Sequence, residues 1–287
     1  FGDQLTRSLS ALRDIDPAQD IVVMIEAADE ALNVPHHKQK IALVLSAMRH
    51  FAASLQDEGL RVDYVPMDAT DNLQDLGREL AKAVQRHSPK AVIVTEPSEW
   101  RAMQLMQAWD LGAPLEVRED DRFFCTRPDF AALTKAKKTG RMEYFYREMR
   151  RRSGILMDHG APVGGQWNFD ADNREAFGPQ GPGAIPARAT FAPDSITREV
   201  MHMVNHHFAQ HPGTLESFAW PVTRAQALQA LQTFIQERLP LFGRYEDAMW
   251  PGEPWLYHSH LSAAMNLKLL SVHEVVQAAE GAYRSGY

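Results

Sequence analysis

Apolar residues recur along this chain in two different periods. Short unbroken runs, Ile21-Val22-Val23-Met24-Ile25, Val62 to Val65 and Ala91-Val92-Ile93-Val94, have the length and β-branched content of strands covered on both faces. Between them, Ile41, Leu45, Met48, Ala52 and Leu55 repeat at spacings of three and four, as do Leu73, Leu76, Leu80 and Val84, which predicts amphipathic helices. Strand, helix, strand, helix predicts a parallel sheet, and Leu115-Glu116-Val117 adds one more short strand. Residues 1–120 are therefore expected to form an open, doubly wound α/β domain.

The pattern changes beyond residue 120. Residues 121–190 read as a basic connector containing one helix, Glu143 to Arg152, which crowds Tyr144, Phe145 and Tyr146 against Arg147, Arg150, Arg151 and Arg152. That helix is expected to be structural, packing its rings between two bodies. Gly164-Gly165 behind it lets the backbone turn where a side chain would clash. The stretch GPQGPGAIPARATFAP is rich in Pro and Gly and reads as an exposed connector. Periodic apolar positions then predict helices over 195–211, 223–239 and 272–283, with Pro212, Pro221 and Pro240 as breaks. Residues 191–287 are expected to be the first part of an all-α domain, incomplete here.

Composition fits two bodies, since 287 residues at 45% hydrophobic content exceed what one core usually holds. The net charge of -7 argues against a generally basic nucleic-acid coat. Residues 122–152 run the other way, with ten basic side chains against three acidic ones. Cys125 is the single cysteine, so no disulfide framework forms within the chain and a reducing, cytoplasmic setting is expected. No apolar run is long enough for a bilayer, and no basic-then-apolar leader opens the sequence. Twelve histidines are scattered without an HExxH, and His206-His207 and His258-x-His260 lack a Cys or carboxylate at ligand spacing, so no metal is expected.

Two places carry candidate chemistry. No GxGxxG follows any strand, which disfavours dinucleotide binding, yet ligands of such sheets still sit beyond the carboxyl ends of strands. Gly2, Asp3, Gln4 and Glu26 fall there, with the Pro35-His36-His37-Lys38 turn nearby; as plain residues they read equally as turn, loop and capping groups. The second place is Tyr257-His258-Ser259-His260-Leu261-Ser262, preceded by Tyr245. Short hydroxyls three apart at a helix start suit a diphosphate, and they suit an ordinary cap as well.

Taken together, the opening Phe1-Gly2-Asp3-Gln4-Leu5, the helix EYFYREMRRR, the segment GGQWNFD and the segment YHSHLS resemble the photolyase-related proteins of bacteria, the iron-sulfur branch of the photolyase and cryptochrome superfamily. The resemblance covers the whole chain. In it the FGDQL text ends a first strand, so the chain is expected to be a fragment clipped at its N-terminal edge and cut at its C-terminus. It implies FAD against Tyr245, His258, Ser259, His260, Leu261 and Ser262, although His258 and His260 replace the Thr and Arg of better-known photolyases. It implies an antenna, typically a ribityl-lumazine, at Gly2, Asp3, Gln4, Glu26, His36, His37 and Lys38. A 4Fe-4S cluster belongs to the family, but its cysteines are absent here and Cys125 cannot hold one alone. Lys135, Lys137, Lys138 and Arg141 are expected to meet the DNA backbone.

The implied activity is light-driven repair of damaged DNA by a monomeric lyase of the deoxyribodipyrimidine photolyase kind. An electron passes from excited reduced FAD to a pyrimidine photoproduct, usually the (6-4) type. No catalytic side chain is named. The alternatives are a cryptochrome-type photoreceptor and an α/β nucleotide-binding module without photochemistry.

Overall fold

The computed structural model describes residues 1–135, 141–169 and 171–286. It is mixed α/β and divides into two compact units, neither contiguous in sequence. One unit holds Phe1–Asp120, Thr190–Arg224 and Asn266–Leu269; the other holds Asp121–Ala189, Ala225–Met265 and Leu270–Tyr287. Helix α7 (Ser195–His207), expected at the head of a helical domain, therefore packs with the strands of the first unit.

In the first unit β1 (Val22–Ile25), α1 (Asp29–Asn33), α2 (Lys38–Asp57), β2 (Val62–Val65), α3 (Leu76–His87), β3 (Val92–Thr95), α4 (Trp100–Gln107) and β4 (Leu115–Arg118) alternate as the periodicity predicts. β1 pairs with β2 in parallel, Val22 opposite Val62 and Ile25 opposite Val65; β3 pairs with β4, Val92 opposite Leu115 and Thr95 opposite Arg118. Among the described residues these are two separate two-stranded sheets, not the single doubly wound sheet expected. The helix stripe is as predicted: Ile41, Leu45, Met48, Ala52 and Leu55 of α2 are all buried. α7 contributes Val200, Met203 and Val204 to the same core.

α7 is fastened at its start. The Asp194 carboxylate caps it by accepting from the Thr197 N–H at 2.8 Å, and His50 of α2 bridges that carboxylate (2.7 Å) and the Ser46 carbonyl (2.8 Å). Burial works against the Asp194 anion, but the Thr197 and His50 hydrogen bonds hold its pKa down at about 2. A depressed carboxylate stabilises the fold above its ordinary value of 3.8 and loses that contribution as pH falls towards about 2. Asp194→Ala should weaken the docking of α7 by about 1 kcal/mol. Unfolding midpoints of the variant and the parent should converge between pH 4 and pH 2, and a constant difference across that window would sink the assignment.

The second unit holds α5 (Arg127–Lys135), α6 (Met142–Ser153), a hairpin of β5 (Met157–Asp158) and β6 (Ala161–Pro162), then α8 (Arg224–Glu237), α9 (Leu239–Tyr245), α10 (Ser262–Asn266) and α11 (Val272–Arg284). His159 (φ 50°) and Gly160 (φ 81°) close the hairpin, both in the left-handed region that a two-residue connection favours. The hairpin is tied to α11, whose Glu280 accepts from the Leu156 N–H and whose Arg284 pairs with Asp158 at 3.2 Å.

Candidate functional site

The segment expected at a flavin begins in an aromatic stack. Tyr245 lies nearly parallel to Phe177 (4.7 Å between centroids) and to Tyr257 (5.7 Å), while Trp250 meets Phe177 edge-on at 6.4 Å. Tyr257 and Leu261 are buried, His258, Ser259 and His260 are half-buried, and Ser262 is exposed where α10 starts. The Ser259 hydroxyl accepts from the Leu261 N–H at 3.4 Å, and His260 turns its Nε2 to the Trp255 carbonyl at 3.0 Å. At five residues α10 is too short for its dipole alone to hold a diphosphate.

What surrounds this segment is positive charge. Arg238, 2% exposed, donates through one terminal nitrogen to the Pro186 carbonyl, and its Nε is buried without a hydrogen-bond partner. Burial pulls its pKa below the ordinary arginine value, with Glu237 working the other way. Arg188 stands 4.4 Å over the Trp255 ring, and burial lowers its pKa too. Burial first, then the charges of Arg238, His258 and Arg188, lowers the pKa of His260 against the opposing bond to Trp255, so its imidazole is neutral near pH 7. A buried cation that keeps an orphaned N–H is unfavourable unless an anion arrives. Through its effect on His260, the charge of Arg238, with that of Arg188, is felt at the His258–Ser262 segment, and positive charge beside short hydroxyls suits the diphosphate of FAD. Sequence reasoning missed Arg188 and Arg238.

At the other candidate place, the carboxyl end of β3 receives Gln4, whose amide donates to the carbonyls of Thr95 (3.3 Å) and Glu96 (3.1 Å). Gly2 lies against α2, where an added Cβ would come within 3.1 Å of Met48 and Val44. Asp3 is 4.0 Å from Lys268. Glu26, buried at the end of β1, accepts from Arg49 through both oxygens (2.8 and 3.0 Å), from the Tyr64 hydroxyl (2.5 Å) and from the Met67 N–H (2.8 Å). Burial and then the Glu26 charge push the Tyr64 pKa far up, so it stays a donor. His37 caps α2 by accepting from the Gln39 N–H at 3.1 Å; His36 faces Lys40, and the Lys38 N–H donates to Pro212. Lys38 and Arg49, the partner of Glu26, stand eleven positions apart on α2, about 16 Å along its axis. A separate cavity of about 670 Å³ in this unit is lined by Arg49, Asp68, Arg198, Glu199, His202, Met203, His206 and His207.

Of the basic residues expected at DNA, Lys135 ends α5 and Arg141 precedes α6, both exposed; Lys137 and Lys138 lie outside the described residues. Residues 164–169 fold back onto α6 through Trp167. Arg150 is buried and donates to the carbonyls of Ile155, Leu156 and Trp167 and to the Tyr146 hydroxyl. The Cys125 thiol is half-buried, and burial, then Asp129, raises its pKa against the pull of Arg152, so it remains protonated. Among the described residues no group of three or more His, Cys, Asp or Glu is placed to hold a metal, and no helix is long and apolar enough to cross a membrane.

The model of the deoxyribodipyrimidine photo-lyase-related proteins matches residues 1–220. The chain belongs to that photolyase-related family. It is also 44% identical, over 289 residues, to a (6-4) photolyase of Agrobacterium fabrum strain C58, an alignment covering all of this chain and 56% of that protein. This photolyase-related chain thus spans little more than half the length of that curated relative.

Proposed function

We propose that the complete protein is a photolyase-type flavoprotein that repairs damaged DNA in the cytoplasm as a monomer. The observation that carries this reading is the gathering of buried Arg238, with its unsatisfied Nε, and of Arg188 and His258 around His260 in the Tyr257–Ser262 segment. Bound there in reduced form, FAD would supply a light-driven electron to a pyrimidine photoproduct, taken to be the (6-4) kind.

The chain's own residues would bind and orient. Arg238, Arg188, Ser259 and Ser262 would hold the diphosphate, with His258, His260 and Leu261 shaping the same turn. Tyr245, Tyr257 and Phe177 would wall off water. An antenna would lie beyond the strand ends at Gly2, Asp3, His36, His37 and Lys38, framed by Gln4 and Glu26. Lys135, Lys137, Lys138 and Arg141 would steer the DNA backbone. In the complete protein we read the two strand pairs as halves of one doubly wound sheet, residues 121–190 as the connector and residues 191–287 as the opening of the flavin domain. Cys125 alone cannot hold a 4Fe-4S cluster, so the one that the family implies would take its thiolates from outside this chain, and no step is assigned to it.

An absorption spectrum of the full-length protein tests the reading. Flavin bands near one per chain are expected, and a colourless protein would sink it. Ser259→Asp places a charge against the phosphates and should lower flavin content about tenfold or more, whereas unchanged content moves the pocket elsewhere. Blue light should clear photoproducts from irradiated duplex; a protein that photoreduces yet leaves them in place is a sensor instead.

A further inference from the structure

Trp167 is the centre of an arrangement that the flavin site leaves unused. Three guanidinium groups surround its ring, Arg147 at 5.5 Å, Arg150 at 5.7 Å and Arg151 at 4.6 Å from the centroid. They are not equivalent. Arg150 is buried and committed to carbonyls, and it fixes the ring to α6. Arg147 is held by Glu143 at 2.7 Å. The Arg151 side chain is 52% exposed, and its nearest acid, Glu148 at 3.7 Å, already holds Arg152 at 3.0 Å. Arg151 is therefore the most exposed of the set, and the indole restrains it against the freedom an exposed arginine usually has.

Position along the helix adds to this. Arg147 and Arg151 are four apart, on one face, which also carries the exposed Tyr144. Surface guanidiniums spaced one helical turn apart and backed by an aromatic ring match adjacent phosphates of a nucleic-acid backbone, with ring faces for any unstacked base. The surrounding stretch, 122–152, has its large excess of basic side chains in a chain that is otherwise acidic.

We infer that the exposed face of α6 is a phosphate-backbone contact for DNA, with Arg151 and Arg147 as the phosphate-binding side chains and Trp167 as the residue that positions Arg151. The inference rests on the nucleic-acid partner of the proposed function and moves the main contact from Lys135, Lys137, Lys138 and Arg141 onto the helix. It identifies this face by charge and aromatic content; cover by the remainder of a longer polypeptide is the competing occupant.

The experiment uses the full-length protein and an undamaged, fluorescein-labelled duplex, with affinity measured across a salt series. Arg151→Ala should weaken binding roughly three- to tenfold near physiological salt and reduce the salt slope by about one; Arg147→Ala should do the same. Arg151→Lys keeps the charge and should keep the slope. Trp167→Leu should weaken binding with the slope intermediate, because the charge remains but is no longer held. In the parent protein, phenylglyoxal should modify Arg151, and duplex should protect it, a readout independent of any variant's folding. Unaltered affinity and slope in both alanine variants would overturn the inference, as would an Arg151 that phenylglyoxal cannot reach even without duplex. A parent protein that retains flavin and binds duplex, with indifferent arginine variants, sinks only this contact. One that holds neither flavin nor duplex sinks the proposed function as well.

Discussion

Replacing Glu26 by alanine is expected to destabilise the first unit by about 3–5 kcal/mol, a large share of the 5–15 kcal/mol that folded domains usually possess. The carboxylate satisfies four donors from three directions: two from Arg49 on α2, the Tyr64 hydroxyl on β2 and the Met67 N–H beyond it. Its removal leaves the Arg49 guanidinium, whose side chain is 17% exposed, without its principal anion, and leaves a buried N–H unpaired. Tyr64→Phe removes one of those bonds and no charge, so its effect should be nearer 1 kcal/mol. Thermal unfolding of the full-length protein should rank the two variants in that order. Equal midpoints would show that Glu26 is not the keystone that its hydrogen bonds make it. The same comparison separates a frame from a ligand, because a Glu26 serving only an antenna would alter antenna content and leave the midpoint unmoved.

Arg238→Met should act in opposite directions on two quantities. The guanidinium is buried with its Nε unsatisfied, so an apolar side chain of similar length should raise the stability of flavin-free protein by about 1–3 kcal/mol. The same substitution removes the most deeply buried cation beside His258–Ser262 and should weaken flavin binding roughly a hundredfold. Flavin content after gel filtration and melting of the stripped protein measure the two separately. A variant that keeps its flavin removes Arg238 from the site, and one that loses stability without flavin removes the argument from desolvation.

Much of this was legible in the sequence, and the parts that were not have physical reasons. Strands at Val22–Ile25, Val62–Val65 and Val92–Thr95 fall within a residue of the apolar runs that predict them, because a run covered on both faces has few other uses. The α2 stripe is legible for the same reason. α7 ends at His207 where periodicity runs on to 211, and α3 begins at Leu76, leaving Leu73 exposed ahead of the Asp75 cap. Helical periodicity marks a buried face without naming its partner, so nothing in Val200, Met203 and Val204 assigns α7 to the strands' unit. Pairing between strands is equally silent in single runs, and the two separate pairs could not be foreseen.

At the candidate site, the text of Tyr257–Ser262 shows the hydroxyls but not the cations that make it distinctive. Arg188 and Arg238 come from distant stretches and carry no motif. One signal was available: Ala227, Leu231, Phe234 and Arg238 follow at spacings of four, three and four, so Arg238 continues the apolar stripe of α8 and is buried like its members. A charged residue in step with a hydrophobic stripe is a candidate for a buried counter-charge. Arg150 on α6 is the contrasting case, also buried, with its donors answered by backbone carbonyls.

The packing of α7 against α2 also sets an order in time. As the polypeptide leaves the ribosome, the face of α2 that α7 covers has no cover until roughly 140 further residues have been made. At ordinary elongation rates that interval is about ten to thirty seconds. Until α7 has been made, the α2 stripe is thus exposed apolar surface, the feature of nascent chains that leads to aggregation and that chaperones shield.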